Sequence, residues 1–540
     1  MQKKLVTAAI ASAFALGGTT AHAVDFADVG NVLISPFYGA AAYDDGSANE
    51  TYFSIVNTQN VTKAVKVRFR EGRGSEDSLD FHVYLSPYDI WTGAITQNSS
   101  GQTVVVSGDS SCTVPAMTPD PEASNALFLP TYIPDEYEGD VRDDLPTSQE
   151  RVSEGYFEII EMATFSQEDG KGEYNEGQFA WHVEHVDGEP RNCSAAVSLN
   201  EILWIAGEGD PSGTIFEDDV DVEFGSPTGG MFGNAALINV VRGTYKPFEM
   251  IALDSLELQE FDGANNLFFS QNSNSDADLL GYTADNGLKA AKNNQIQFWD
   301  LPDLSTMSSA FDSDADTSAG LESINSLLLT TQIINEYVID EDINAGTDWV
   351  VTFPTKKFYV TDGDLAPNAD GEMVHFGNGS AVDPFTVAFN ENLGQACEPV
   401  NFRIFDREEG EEVPEQPSGV GFSPGLPTAP DVTSLCFEMN VISINDADTA
   451  EDLQQPSSVL GGTTTRQNIQ IEELDGDAGW MILQLTENAE EGLPAIGFMA
   501  ADFINEGIVD GGALRNYGGT WNHRYQRTND NGNRLEFTSD

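Results

Sequence analysis

Hydrophobic positions in the first quarter of the chain recur at every second residue. In the stretch VTKAVKVRFR, Val65, Val67 and Phe69 fall on one face of an extended backbone, while Lys66, Arg68 and Arg70 fall on the other. A period of two marks a half-buried strand. Residues 71–78, with Gly72 and Gly74, read as a turn, after which Leu79, Phe81, Val83 and Leu85 resume the alternation. Ser86-Pro87-Tyr88-Asp89 stops that strand, and Trp91 and Ile95 open the next apolar segment. Antiparallel hairpins of this kind must bury one face of each sheet against a second layer.

The same pattern predicts strands over 156–160, 179–186, 195–206, 348–353, 385–389, 402–405, 435–444, 480–485 and 495–500. One helix is predicted, over 321–338. There Leu321, Ile324, Leu327, Leu328, Ile334 and Val338 recur at three- and four-residue spacing behind a possible N-cap, Ser318. Polar, Pro- and Gly-rich stretches at 99–150 and 408–431 read as surface loops. No fixed-period repeat suggests a solenoid or propeller. The predicted fold is all-β, with several antiparallel sandwiches of immunoglobulin-like or jelly-roll-like type and a minor helical insertion. Its domains are expected at 24–206 (N-terminal sandwich), 207–346 (mixed) and 347–540 (C-terminal β domain).

The N-terminus changes where this fold is expected to reside. Lys3 and Lys4, an apolar run from Leu5 to Leu16, and Ala21-His22-Ala23 have the layout of a secretory signal over 1–23. The run is shorter than the ~20 residues of a membrane span. No second apolar stretch of spanning length follows, so no transmembrane segment is expected. The four cysteines can pair in three ways. Export favours disulfides, and sequential pairing, Cys112 with Cys193 and Cys397 with Cys436, would keep each bond inside one domain. Loop-closure entropy would make each worth about 4 kcal/mol.

Charge narrows the partners. The 540 residues include 89 Asp and Glu against 24 Lys and Arg, a formal net charge of −65. Nucleic acid and bare anionic lipid are therefore unexpected partners. A content of 31 Phe, 15 Tyr and 7 Trp argues for a folded chain and against a disordered acidic tail. Five cations, Lys63, Lys66, Arg68, Arg70 and Arg73, crowd one early strand and its turn. They either pair with acids on neighbouring strands or form a docking face for an acidic subunit or for surface phosphates.

Catalytic signals are sparse. Gly421-Phe422-Ser423-Pro424-Gly425 matches the GxSxG pattern, but Pro424 lacks the N–H that an oxyanion hole would take from that position. His182 and Glu184 would share one strand face and His185 the other, a poor zinc arrangement. Calcium is the stronger expectation. Asp312, Asp314 and Asp316 resemble the start of an EF-hand loop, although Thr317 replaces the required glycine and Glu322 falls one position short. An irregular oxygen cage there, or at Asp362, Asp364 and Asp370, is the remaining possibility. No enzyme activity is expected.

The block YFSIVNTQNVTKAVKVRFREGRGSEDSLDFHVYLSPYDIWTGAI, residues 52–95, resembles a segment of large exported proteins of Gram-negative bacteria, as does TDWVVTFPTKKFYV, residues 347–360. With its length, signal and acidity, the chain resembles the surface-layer (S-layer) protein family of marine Gram-negative bacteria. That resemblance implies a structural protein self-assembling into a two-dimensional lattice on the outer membrane, organised by divalent cations. Its partners would be copies of itself and lipopolysaccharide or another outer-membrane anchor. The alternatives are a secreted adhesin or glycan-binding protein, with Trp91, Trp181 and Trp521 as stacking residues, and an exported hydrolase.

Overall fold

The computed structural model describes residues 25–129, 149–165, 178–194, 224–258, 318–360, 383–390, 395–412, 434–446, 457–471, 477–485, 492–504 and 516–527, apart from a few positions inside these stretches. It also describes 304, 307–309, 365–367, 373–375 and 381. The signal segment 1–23 and the predicted strand 195–206 lie outside the described residues.

Four large sheets make two sandwiches. Sheet A runs Asp25–Ala27, Ile251–Asp254, Val32–Gly39, Glu154–Phe165, Thr62–Glu71, Asp77–Leu85, Cys112–Val114. Sheet B runs Thr244–Glu249, Met231–Asn239, Glu50–Asn57, Ile90–Gln97, Thr103–Val106. Sheet C runs Glu411–Glu412, Asn401–Asp406, Ala478–Gln484, Leu329–Val338, Leu493–Pro494, with Arg524–Arg527 also on Leu329–Val338. Sheet D runs Arg466–Ile471, Met439–Asp446, Ala345–Thr352, Ile496–Phe503, Tyr517–Asn522. The all-β, multi-sandwich expectation is met. Within these four sheets the pairings are antiparallel except that of Met439–Asp446 with Arg466–Ile471. Of the described strands of 207–346, those up to Asp254 join the first sandwich, Leu329–Val338 joins the second, and Leu256–Leu258 pairs with Met307–Ser309 as a separate two-stranded sheet.

Side-chain alternation explains the layers. Val65, Val67 and Phe69 point inward with Phe53, Phe81, Trp91 and Phe157 to fill the first sandwich. In sheet D, alternate residues enter different cores. Trp349, Val351, Ile442 and Met499 face sheet C, while Val350, Val441, Phe498 and Ala500 join the first sandwich's core. The Phe248 and Phe498 rings stack across that boundary at 4.6 Å. The two sandwiches are thus held together by continuous apolar packing.

The 99–150 stretch, expected as surface loop, contributes the strands Thr103–Val106 and Cys112–Val114 to the sheets, and three other predicted elements come out differently. The 321–338 segment is a helix only over Ser318–Leu328, which buries Leu321, Ile324 and Leu328. From Leu329 to Val338 it is a strand. Its β-branched run (Thr330, Thr331, Ile333, Ile334) favours extension, and Ile333 and Tyr337 bury at even spacing. The 179–186 stretch begins as the helix Phe179–Val183, whose buried Phe179, Ala180 and Val183 follow helical spacing. The 385–389 stretch forms no strand. There Glu398 Oε1 accepts the backbone N–H groups of Thr386 and Val387 (2.9 and 2.8 Å), bonds that a ladder would otherwise take.

Candidate functional site

The basic strand Thr62–Glu71 lies between two partners in sheet A. Its register sets Arg68 opposite Asp80 and Arg70 opposite Asp77 on one side, and Arg68 opposite Glu158 on the other. Lys66 Nζ and Arg68 Nη2 each approach Asp80 Oδ2 at 3.0 Å. Arg68 also meets Asp77 at 3.3 Å, and Arg70 bridges Asp77 (2.8 Å) and Glu158 (2.7 Å). Of the two readings offered by sequence, pairing with neighbouring strands is what the geometry shows. A docking face would need exposure, yet Lys66, Arg68 and Arg70 are at most 1% accessible.

The second half of the chain forms the cover. On the short helix Lys356–Val360, Lys357 Nζ donates to Ser75 O at 3.2 Å, and the Phe358 ring lies 5.9 Å from the Arg70 guanidinium. Tyr156 donates from its hydroxyl to Ser75 Oγ at 2.8 Å. Burial raises the Asp77 carboxyl, but Arg68, Arg70, Lys357 and Lys66 outweigh it and bring its pKa down to about 2.

The other two cations of the cluster are also used internally. Lys63 pairs with Glu161, whose carboxylate also accepts the N–H groups of Thr228 (3.1 Å) and Gly229 (2.8 Å). Burial pushes the Lys63 ammonium down and the Glu161 carboxyl up, against their mutual attraction. Arg73 lies over the Phe437 ring at 4.4 Å and donates to Thr464 O at 3.1 Å. The Gly72–Arg73 turn therefore also touches the second sandwich, where Met439 N donates to Gly72 O at 2.8 Å.

A second polar seam joins sheets B and D. Lys246 Nζ sits 2.6 Å from both Asp502 Oδ2 and Val459 O. Asp348 accepts from the Ser457 hydroxyl and from Leu460 N (3.0 Å). Lys356 is held by the carbonyls of Ala396, Phe437 and Cys436 at 2.7, 3.2 and 3.3 Å. Burial lowers the pKa of both lysines. Among the described residues, eleven of the chain's 24 Lys and Arg are buried, against nine of its 89 Asp and Glu. Among the described residues, the buried cations and buried acids are thus nearly balanced.

The remaining predicted residues separate in space. His182 ends the Phe179–Val183 helix, Glu184 pairs with Arg191, and His185 Nδ1 lies 2.7 Å from Ser86 Oγ and 3.4 Å from Asp89. They converge on no common point, and no group of three or more His, Cys, Asp or Glu among the described residues is placed to hold a metal ion. Asp312, Asp314, Asp316, Asp362, Asp364, Asp370 and Ser423 lie outside the described residues. Both disulfides form as expected, Cys112–Cys193 and Cys397–Cys436. Trp91 is buried in the core, Trp181 is half-buried beside Arg191, and Trp521 is exposed. No described helix is long and apolar enough to cross a membrane.

The outer face of sheet B carries an open groove of about 520 Å³, lined by Tyr52, Ser54, Asn234, Ala236, Tyr245 and Pro247, with Glu249, Thr520 and Asn522 at one side. Ala236 is flanked in register by Tyr52 and Pro247, and Tyr245 stands two residues before Pro247, opposite Ile238. The alternation of Tyr52 and Ser54, and of Tyr245 and Pro247, was a visible signal of an outward face. Which strands stand beside each other was not. Compared with known proteins, the chain matches no protein-family model, no curated protein and no solved structure.

Proposed function

We propose that this chain is an exported structural protein that assembles with copies of itself into a two-dimensional surface layer, with calcium bridging acidic subunits. The supporting observation is the division of charge: eleven buried cations against nine buried acids, in a chain with 89 acids and 24 cations. Two such surfaces repel at close range, and among the described residues eleven of the chain's 24 cations are buried where they cannot pair with a neighbour's carboxylates. Calcium takes six to eight oxygen ligands, so carboxylates on facing subunits suit it as a bridge. Two sandwiches with shared cores and two disulfides also give the rigid body that a repeating lattice requires. The resemblance at residues 52–95 and 347–360, and the signal at 1–23, agree with a place on the outer membrane's external face. The reaction class is none; the chemistry is cation-controlled association.

The test is direct. Purified mature chain is brought from EDTA into millimolar calcium and followed by light scattering and negative-stain electron microscopy. Ordered sheets that form with calcium and dissolve in EDTA are expected. A chain that stays monomeric throughout, or sheets indifferent to EDTA, would overturn the proposal.

A further inference from the structure

The two broad faces of the first sandwich are finished in different ways, and the open one carries a built recess. On sheet B, Tyr52 and Pro247 flank Ala236, and Ser54 and Glu249 flank Asn234. Tyr245 precedes Pro247 by two residues and so shares its face. Tyr52 and Pro247 therefore stand two strand spacings apart, about 9.5 Å between backbones. The strand between them contributes the small Ala236, itself 2% exposed, to the floor of the groove.

Its chemistry selects a ligand class. Tyr52 and Tyr245 are 39% and 57% exposed, which leaves their rings available for stacking. Ser54 is only 6% exposed, yet it lines the groove, and its hydroxyl takes no partner among the described residues. The Asn234 side chain is likewise free of protein partners among those residues. The far wall is fixed by sheet D, where Thr520 donates to Pro247 O and Asn522 to Glu249 Oε2 (3.3 Å). Among the described residues, no Lys or Arg lines the groove. A phosphate or uronate would meet Glu249 and a net charge of −65 with nothing to offset them. A flat apolar cofactor would want an enclosed, mostly apolar pocket. Aromatic faces beside amide, hydroxyl and carboxylate groups suit a ring with an apolar C–H face and a hydroxylated edge.

We propose that this groove binds a short stretch of neutral polysaccharide, with pyranose rings stacked on Tyr52 and Tyr245 and hydroxyls bonded by Ser54, Asn234 and Glu249. Every residue that lines it belongs to a single chain, so the site is complete without a second copy. It also moves the candidate stacking residues away from Trp91 and Trp181 to two tyrosines.

Isothermal titration calorimetry on the full mature chain, kept in EDTA to suppress assembly, tests it with chitohexaose, cellohexaose and maltohexaose. An alginate hexamer serves as the anionic comparison. At least one neutral hexamer should bind with a micromolar to millimolar Kd, and alginate should not. Tyr52→Ala and Tyr245→Ala should each weaken binding about tenfold or more. Trp480→Ala, an exposed aromatic in the other sandwich, should leave it unchanged. Absence of binding by all three neutral sugars would overturn the proposal, as would binding that survives both tyrosine substitutions or that is shared equally by alginate. Unchanged melting temperatures of the variants would tie any loss to the groove.

Discussion

The outer faces of sheets A and B reverse the usual placement of charge. Sheet A directs Lys66, Arg68, Arg70, Asp80 and Glu158 away from its own sandwich core, and the face is buried. Sheet B directs Tyr52, Ser54, Asn234, Ala236 and Tyr245 outward, and a groove remains open above them. The difference lies in what each face meets. Sheet A meets the second half of the chain, which brings Lys357, Phe358 and Pro354 down onto the charges. A buried ionic layer adds less stability than apolar packing of the same volume would, but breaking it is costly. It therefore acts mainly to require one docking geometry, in which every charge has a partner. Among the described residues, nothing covers sheet B's outer face in this way, so that face is where ligand chemistry can act.

The sharpest way to break this contrast is to remove one charge from the buried layer. Arg70→Ala leaves Asp77 and Glu158 without their shortest ion-pair contacts. A loss of about 3 to 5 kcal/mol is expected, read as a large fall in melting temperature by calorimetry. The triple reversal of Lys66, Arg68 and Arg70 to Glu should abolish folding altogether, and so could not report on surface attachment. A stable, soluble triple variant would show that the layer is not closed as described.

Acid should weaken the same layer in a defined window. The pKa of Asp77 is lowered on folding, so its contribution is complete above the unfolded value of about 3.9 and is lost as pH falls through about 2. That shift corresponds to about 2 kcal/mol. Asp77→Asn should be less stable than the parent at neutral pH, with the gap in melting temperature narrowing between pH of about 4 and 2. A gap that stays constant over that range would remove Asp77 from the ionised network.

A smaller effect is expected at the turn that carries the layer's end into the second sandwich. A Cβ on Gly72 would lie 2.7 Å from Thr465 Cγ2 and 2.9 Å from Met439 Cε. Gly72→Ala should cost about 1 to 2 kcal/mol, since the methionine can give way more easily than the threonine. Chemical denaturation would show this as a lower midpoint. An unchanged midpoint would mean that the sandwiches part more readily at this contact than their shared core suggests.

Much of this was legible in the alternation of residues 62–85, and the reason for what was missed is specific. Period-two patterning separates two faces, so Val65, Val67 and Phe69 were correctly set toward a core. It also sets polar residues on the opposite face, and it contains nothing about a third layer covering them. Asp77 and Asp80 reach the cations from the next strand of the same hairpin, whereas Glu158 comes from a strand far along the chain, whose register local patterning does not set. The helix ending at Leu328 was half legible, because Leu327 and Leu328 continue an apolar run into a strand without Gly or Pro to mark the change. The groove was least visible. Ala236 and Tyr245 share a local hairpin, but Tyr52 joins them only through long-range pairing.

The smallest expected effect tests the open side of the comparison. If sheet B's outer face has no partner within the chain, trimming its tyrosines removes little packing. Tyr52→Ala and Tyr245→Ala should then each change stability by no more than about 0.5 kcal/mol, as is usual for exposed substitutions. Tyr245, at 57% exposed, should be the milder of the two, and Tyr52, at 39%, the more costly. Matched thermal melts in EDTA would measure both for the single chain. Repeating them in calcium separates two cases. A tyrosine that matters only in calcium would lie at a contact between copies, whereas one without effect in either condition belongs to a face that neither folding nor assembly covers.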